Sequence, residues 1–266
     1  MTGNSTIRNR NAAVLSVTRT EADVVIPSTR FDEELAKTFT RLRLPKGLLE
    51  RLAGIKERRG WAPGRHFTDG ATEAGQAALE NSGIRPEQIG LFINASVTRD
   101  NYEPAVAVGI HERLGLPSSA LNFDMTNACL GFVNALTVAS SMIDAGAIEY
   151  ALVVAGEDPS PWHEAAIARL SEDDITREQV VQEFATLTLG CGAAAAVVGP
   201  ADRHPDGHRI VGSVTRAGTE FSRLCVGGWD GMFTDATGLL NHGVGLVVEA
   251  WLDAERDGWD WRNMDS

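Results

Sequence analysis

A chain of 266 residues, 43% hydrophobic and 23% charged, has ordinary globular composition. That excludes disordered, collagen-like and coiled-coil classes and allows one large domain or two small ones. Acidic residues outnumber basic ones by 36 to 24, for a net charge of −12, the opposite of the balance that a phosphate-tracking nucleic-acid binder needs. No apolar run approaches the roughly 20 residues that span a bilayer, so no membrane span is expected, and the polar residues 1–10 point to the cytoplasm.

In chain order, residues 12–17 and 24–26 read as an opening strand and its return, and residues 31–53 carry a helical pattern. Phe67–Ser82 is a small-residue helix, with Gly83 at its C′ position and Pro86 beyond the turn. Residues 89–95 form a buried strand, 96–103 a polar irregular segment, and Pro104 opens a helix that ends before Gly115. A short strand over 121–125 leads into a long apolar helix over 127–145, stopped at Gly146, and then into a buried strand over 150–155. Residues 171–187 read as a polar surface helix with two overlapping capping patterns, Ser171 with Asp174 and Thr176 with Gln179. Strands over 193–198 and 210–217 precede a final amphipathic helix from about Thr237 to Arg256. Strands alternating with helices predict an α/β fold with buried central strands.

Most motif lookalikes fail on context. Gly190, Gly192 and Ala195 imitate a dinucleotide fingerprint, but a helix precedes them and a β-like run follows, the reverse of what that fingerprint needs. His111 and His163 are each followed by Glu yet lack a second His four positions on, so they read as surface helix residues rather than zinc ligands. His66, His204, His208 and His242 show no metal-like clustering. Cysteines at 129, 191 and 225 make neither a disulfide framework nor a CxxC zinc site, and Cys191 and Cys225 read as structural.

The informative segment is LNFDMTNACLGF, from Leu121 to Phe132, where a short strand turns through Thr126 and Asn127 into a helix whose first turn holds Cys129. Unpaired N–H groups and the positive end of the helix dipole favour a reactive thiolate there. The residues alone leave open that Cys129 is a small buried hydrophobe. Glu103, in Asn101-Tyr102-Glu103-Pro104, stands in a strand-to-helix loop on the same expected sheet edge; it reads either as a general base or as an acidic residue favoured by the next helix's dipole.

At these residues the chain resembles the thiolase superfamily, specifically the ketoacyl synthase III type. The matching pieces are Ala53-Gly54-Ile55 with Arg58-Arg59, the DxxNACLGF block from Asp124 to Phe132, YALVVAG from Tyr150 to Gly156, and LGCGAAAAVV from Leu189 to Val198. NASVTRDNYEP, from Asn94 to Pro104, and the 26-residue step from Glu103 to Cys129 resemble the OleA group of olefin-biosynthesis condensing enzymes, whose relatives act in β-lactone pathways. The resemblance implies a layered αβαβα sandwich of two similar halves, with residues 1–205 as the complete N-terminal half and 206–266 as the start of the second. It implies acyl transfer from a fatty acyl-CoA to Cys129 and deprotonation of a second acyl-CoA by Glu103, reaching across a homodimer, or a heterodimer with a thiolase-like homologue. No metal or redox cofactor is implied, since coenzyme A arrives with the substrate. A decarboxylating synthase or another acyltransferase of the same fold, and a catalytically incomplete partner subunit, are the alternatives. The family's second-half catalytic His and Asn match none of the six histidines here; the sequence stops at Ser266, before the strand expected to present that His. The expectation is a chain that is a poor condensing enzyme alone, and a longer protein or a partner to complete it. Arg58 and Arg59 are expected in a solvated loop rather than on the CoA phosphates.

Overall fold

The computed structural model describes residues 6–260; Ser266, where the sequence stops, lies outside the described residues. The chain opens with β1 (Thr6–Arg8), β2 (Ala12–Glu21) and β3 (Val24–Pro27), three short helices, α1 (Thr29–Glu34), α2 (Ala36–Arg41) and α3 (Leu48–Ala53), and β4 (Glu57–Gly60). Helix α4 (Phe67–Ser82) leads to β5 (Ile89–Asn94), α5 (Val106–Arg113) to β6 (Leu121–Asp124), and α6 (Gly131–Asp144) to β7 (Tyr150–Glu157). Helices α7 (Ser160–Leu170) and α8 (Arg177–Glu183) precede β8 (Gly192–Pro200). Then come β9 (His208–Arg209), β10 (Gly212–Val214), β11 (Cys225–Gly228), β12 (Gly231–Thr234) and α9 (Ala236–Arg256).

Six strands form one mixed sheet in the order β6-β5-β7-β8-β2-β9. Strands β6, β5 and β7 are parallel, and β8 and β2 run antiparallel to their neighbours. Successive side chains of a strand point to opposite faces, and both faces are covered, which is why the strands read as continuous apolar runs. Phe92, Leu152, Val154 and Val197 pack under α4 and α5 with Ala71, Ala78 and Ile110. Leu91, Ile93, Val153 and Val198 pack on the other face against Ala135, Ala139 and Ile143 of α6. A third cluster, built from Phe31, Leu35, Phe39, Leu170, Val180 and Leu187, holds the short helices together.

Several sequence expectations are corrected. The return strand β3 does not pair with β2, which pairs with β8 along its length and with β9 at Ala13 and Val14; it forms a separate ribbon with β4. The helical pattern over 31–53 breaks into three pieces, the last preceded by Gly47 at φ +71°. The polar helix over 171–187 shrinks to α8: Thr176 and Gln179 form their capping box, whereas Ser171 caps the C-terminal end of α7, a helix the sequence reading lacks. Of the strand expected over 210–217 only β10, Gly212–Val214, forms, paired with β1, while the two-residue β9 on β2 lies just before that range. No helix among the described residues is long and apolar enough to cross a membrane.

Candidate active site

Strands β5, β6 and β7 end side by side at Asn94, Asp124 and Glu157. The connection from β5 runs through α5 on one face of the sheet and that from β6 through α6 on the other. Such a point of divergence leaves a crevice beyond the carboxyl ends of the strands, where α/β proteins bind ligands. Both residues singled out from the sequence lie on these connections.

Cys129 is not in the first turn of α6. The helix begins at Gly131 with Leu130 as its N-cap, and Cys129 precedes both, in a tight elbow. Ala128 takes the left-handed region at φ +44°, which breaks the helix that the local composition favours. The elbow is held by Met125 N–H to the Asn94 carbonyl at 2.9 Å and by Leu130 N–H to the Asn127 carbonyl at 3.0 Å. Gly131 is required by close approach: a Cβ there would stand 3.0 Å from the carbonyl oxygens of both Ala95 and Met125. The outcome is an exposed, free thiol just before the N-terminal end of α6. The bland alternative, a buried cysteine, is thereby excluded.

Glu103 stands in the arm formed by residues 96–105. It is exposed, its peptide bond to Pro104 is cis, and its carboxylate makes no hydrogen bond or ion pair with any described residue. Pro104 does not itself open a helix; α5 starts at Val106, because the Asp124 carboxylate accepts the Val106 and Ala107 N–H groups at 2.9 and 2.8 Å. The arm and the elbow adjoin: the Arg99 guanidinium donates to Thr126 Oγ1, and that hydroxyl donates to the Ser96 carbonyl at 3.3 Å. The structure thus brings Glu103 and Cys129 to one edge of the sheet on adjoining loops, with no hydrogen bond between the two side chains. A cavity of about 340 Å³ lies beside the arm, lined in part by His66, Asp100, Asn101, Pro104 and Arg113.

Other residues are placed differently from expectation. Arg58 is not in a solvated loop but buried on β4, where its guanidinium donates to Ser28 Oγ at 2.8 Å, and burial lowers its pKa, with the Arg30 charge second. Arg59 is partly exposed, 3.6 Å from Glu21. His163 is not a surface residue: it is 2% exposed on α7. Cys191 is buried, donating to Asp158 Oδ1 at 3.2 Å, and burial pushes its thiol up to about 11, while Cys225 lies exposed on β11. Among the described residues no group of His, Cys, Asp or Glu is placed to hold a metal ion. Sequence reasoning assigned no role to Asp124 or Glu157; the available signal was a carboxylate ending each of two apolar strands at the same edge.

Residues 123–218 match the family of 3-oxoacyl-[acyl-carrier-protein] synthase III. The chain is 38% identical over 257 residues to an acyl-CoA:acyl-CoA alkyltransferase of Xanthomonas campestris pv. campestris, covering 96% of this chain and 76% of that protein. It is 31% identical over 242 residues to an enzyme of the same name from Shewanella oneidensis, covering 86% and 69%. A solved cysteine-to-serine variant of Xanthomonas campestris OleA with bound lauric acid and lauroyl-CoA superposes with a TM-score of 0.91 at 37% identity, over 97% of this chain and 77% of that one. In that protein the replaced cysteine and a glutamate replaced in another solved variant stand 26 positions apart, as Cys129 and Glu103 do here. Fold and edge-mounted cysteine together define a thiolase-like acyltransferase. The chain belongs to the acyl-CoA:acyl-CoA alkyltransferase (OleA) family.

Proposed function

We propose that this chain joins two fatty acyl-CoAs by a non-decarboxylative Claisen condensation, giving a 2-alkyl-3-ketoacyl thioester for an olefin or β-lactone type of pathway. The Cys129 thiolate attacks the first thioester carbonyl, the C–S bond to coenzyme A breaks with coenzyme A leaving as its thiolate, and acyl-Cys129 forms. Glu103 then takes an α-proton from the second acyl-CoA; the resulting carbanion attacks the acyl-Cys129 carbonyl, and the C–S bond breaks to release Cys129. No cofactor enters besides the coenzyme A carried by the substrates. The observation that carries this reading is the exposed Cys129 at the sheet's switch point, with the exposed Glu103 on the adjoining arm. A non-decarboxylating route needs a base, and this arm supplies one.

The reading includes a second copy of the chain, or a thiolase-like homologue, as partner, and residues 206–266 as the start of a second thiolase-like half. Exposed Leu121, Leu130 and Val133 beside the site, and Leu240, Val244, Val247 and Val248 along α9, support a partner or further polypeptide on these faces. Three free cysteines fit a reducing cytoplasm. The test is product analysis with two acyl-CoAs of different length against malonyl-carrier protein. Crossed 2-alkyl-3-keto products that vanish in Cys129→Ala support the proposal. Products formed only from malonyl-carrier protein would favour the decarboxylating reading, which the synthase III match over residues 123–218 makes the second choice.

A further inference from the structure

The arm over residues 96–105 is tied to its surroundings at several points, whereas the Glu103 carboxylate makes no hydrogen bond or ion pair among the described residues. At its start, Ser96 Oγ donates to Asn94 Oδ1 at 2.6 Å and accepts the Gly156 N–H at 2.9 Å. The Glu157 carboxylate, at the end of β7, then accepts three hydrogen bonds: Val97 N–H at 2.7 Å, Thr98 N–H at 3.0 Å and Thr98 Oγ1 at 2.6 Å. Midway, Asp100 meets His66 Nε2 at 3.0 Å, at the start of α4. The Asn101 amide donates to the Glu103 carbonyl at 2.9 Å, and Tyr102 accepts from the Trp229 indole at 2.7 Å. Just beyond the arm, at the first turn of α5, Asp124 accepts the Val106 and Ala107 N–H groups and also Asn94 Nδ2 at 3.0 Å. Asp124 is the last residue of β6, the strand that leads into the Cys129 elbow.

We infer that Glu157 and Asp124 are positioning residues: Glu157 clamps the start of the arm to β7 and Asp124 clamps the first turn of α5, into which the arm runs, to β6, so that Glu103 is presented at a fixed place relative to the Cys129 edge. This rests on the assignment of Glu103 as the base. Each clamp uses both oxygens of a carboxylate as acceptors, so the amide isostere must turn an N–H₂ donor toward an N–H donor. Glu157→Gln and Asp124→Asn therefore loosen the arm while keeping side-chain volume. A catalytic group misplaced by on the order of 1 Å costs about 10²-fold, and here the cost falls on proton abstraction, not on Cys129 acylation.

The experiment uses the protein purified as its native assembly and measures three things: the rate of Cys129 acylation by an acyl-CoA (intact mass), kcat and KM for condensation, and hydrogen exchange of the 97–107 amides. For both variants the expected result is acylation and KM within about twofold of wild type, condensation kcat down by at least about tenfold, and faster exchange over 97–107 with β5 and β7 unchanged. Acylation and condensation falling together would overturn the inference, since that marks a general structural defect. Condensation unchanged in the two clamp variants but slow in Glu103→Ala would also overturn it, leaving the base assignment standing. Full condensation in Glu103→Ala would overturn the base assignment itself, and this inference with it.

Discussion

His163 gives the fold a pH dependence whose size and sign follow from its surroundings. The ring is 2% exposed on α7, edge-on to Phe31 with centroids 5.4 Å apart, and the Arg58 guanidinium lies 4.7 Å from the Phe31 ring centroid. Neither ring nitrogen makes a hydrogen bond of normal geometry. Burial, then the charges of Arg58 and Arg30, lower the imidazole pKa to about 4, against weak opposition from the Thr186 and Leu189 carbonyls. The unfolded chain, titrating near the ordinary value of 6.5, binds this proton first as pH falls. Stability is therefore unaffected well above pH 6.5, declines as pH drops through 6.5, and levels off below about 4. At about 1.4 kcal/mol per pKa unit the loss is roughly 3 kcal/mol. Replacing His163 by Leu removes the titrating group together with two unpartnered polar atoms. Urea unfolding at pH 7.5, 6, 5 and 4 is the assay. His163→Leu is expected to lie within about 1 kcal/mol of wild type at pH 7.5 and to gain on it by roughly 3 kcal/mol toward pH 4. Parallel curves for the two proteins over that range would refute the argument.

Iodoacetamide at pH 7.5 is expected to label exposed Cys129 and Cys225 and to spare Cys191, buried with its thiol pushed up to about 11; peptide mass mapping checks this, and comparable labelling of Cys191 would contradict it. Glu183, its side chain 3% exposed, accepts from Arg169 Nε and Nη2 at 2.6 and 3.0 Å. Glu183→Gln should cost about 2–3 kcal/mol in urea unfolding, below the usual range for a broken buried pair because Arg169 is partly solvated. Gly131→Ala places a Cβ against two carbonyl oxygens, so a loss of about 1–3 kcal/mol and slower acylation of Cys129 by mass are expected. Thr176→Ala removes the α8 capping box and should cost about 1 kcal/mol by the same unfolding measurement.

Local signals carried much of the fold. Phe67–Ser82 is read correctly to the residue, since small apolar residues at helical spacing end at Gly83, which takes φ +69°. The central strands declare themselves as apolar runs because the sheet is covered on both faces. Non-local contacts decide where reading fails. The pairing of β3 with β4 joins residues 24–27 to residues 57–60, across three helices, beyond what a local pattern carries. The late start of α6 goes with Ala128 in the left-handed region, a backbone state that the apolar helical pattern does not announce. His163 looks like a surface residue until Phe31 and Arg58, far away in sequence, fold over it. At the candidate site, motif and spacing single out Cys129 and Glu103. Asp124 and Glu157 were not, because a carboxylate at a strand end reads as solvated until its N–H donors are placed around it.

The central claim is that acyl groups pass through Cys129. Incubating the protein with lauroyl-CoA, quenching, and mapping the adduct by peptide mass spectrometry tests it most directly. The account predicts a lauroyl thioester on the peptide containing Cys129, absent in Cys129→Ala and discharged when a second acyl-CoA is added with Glu103 intact. An adduct on Cys191 or Cys225, or one that persists in Cys129→Ala, would contradict it.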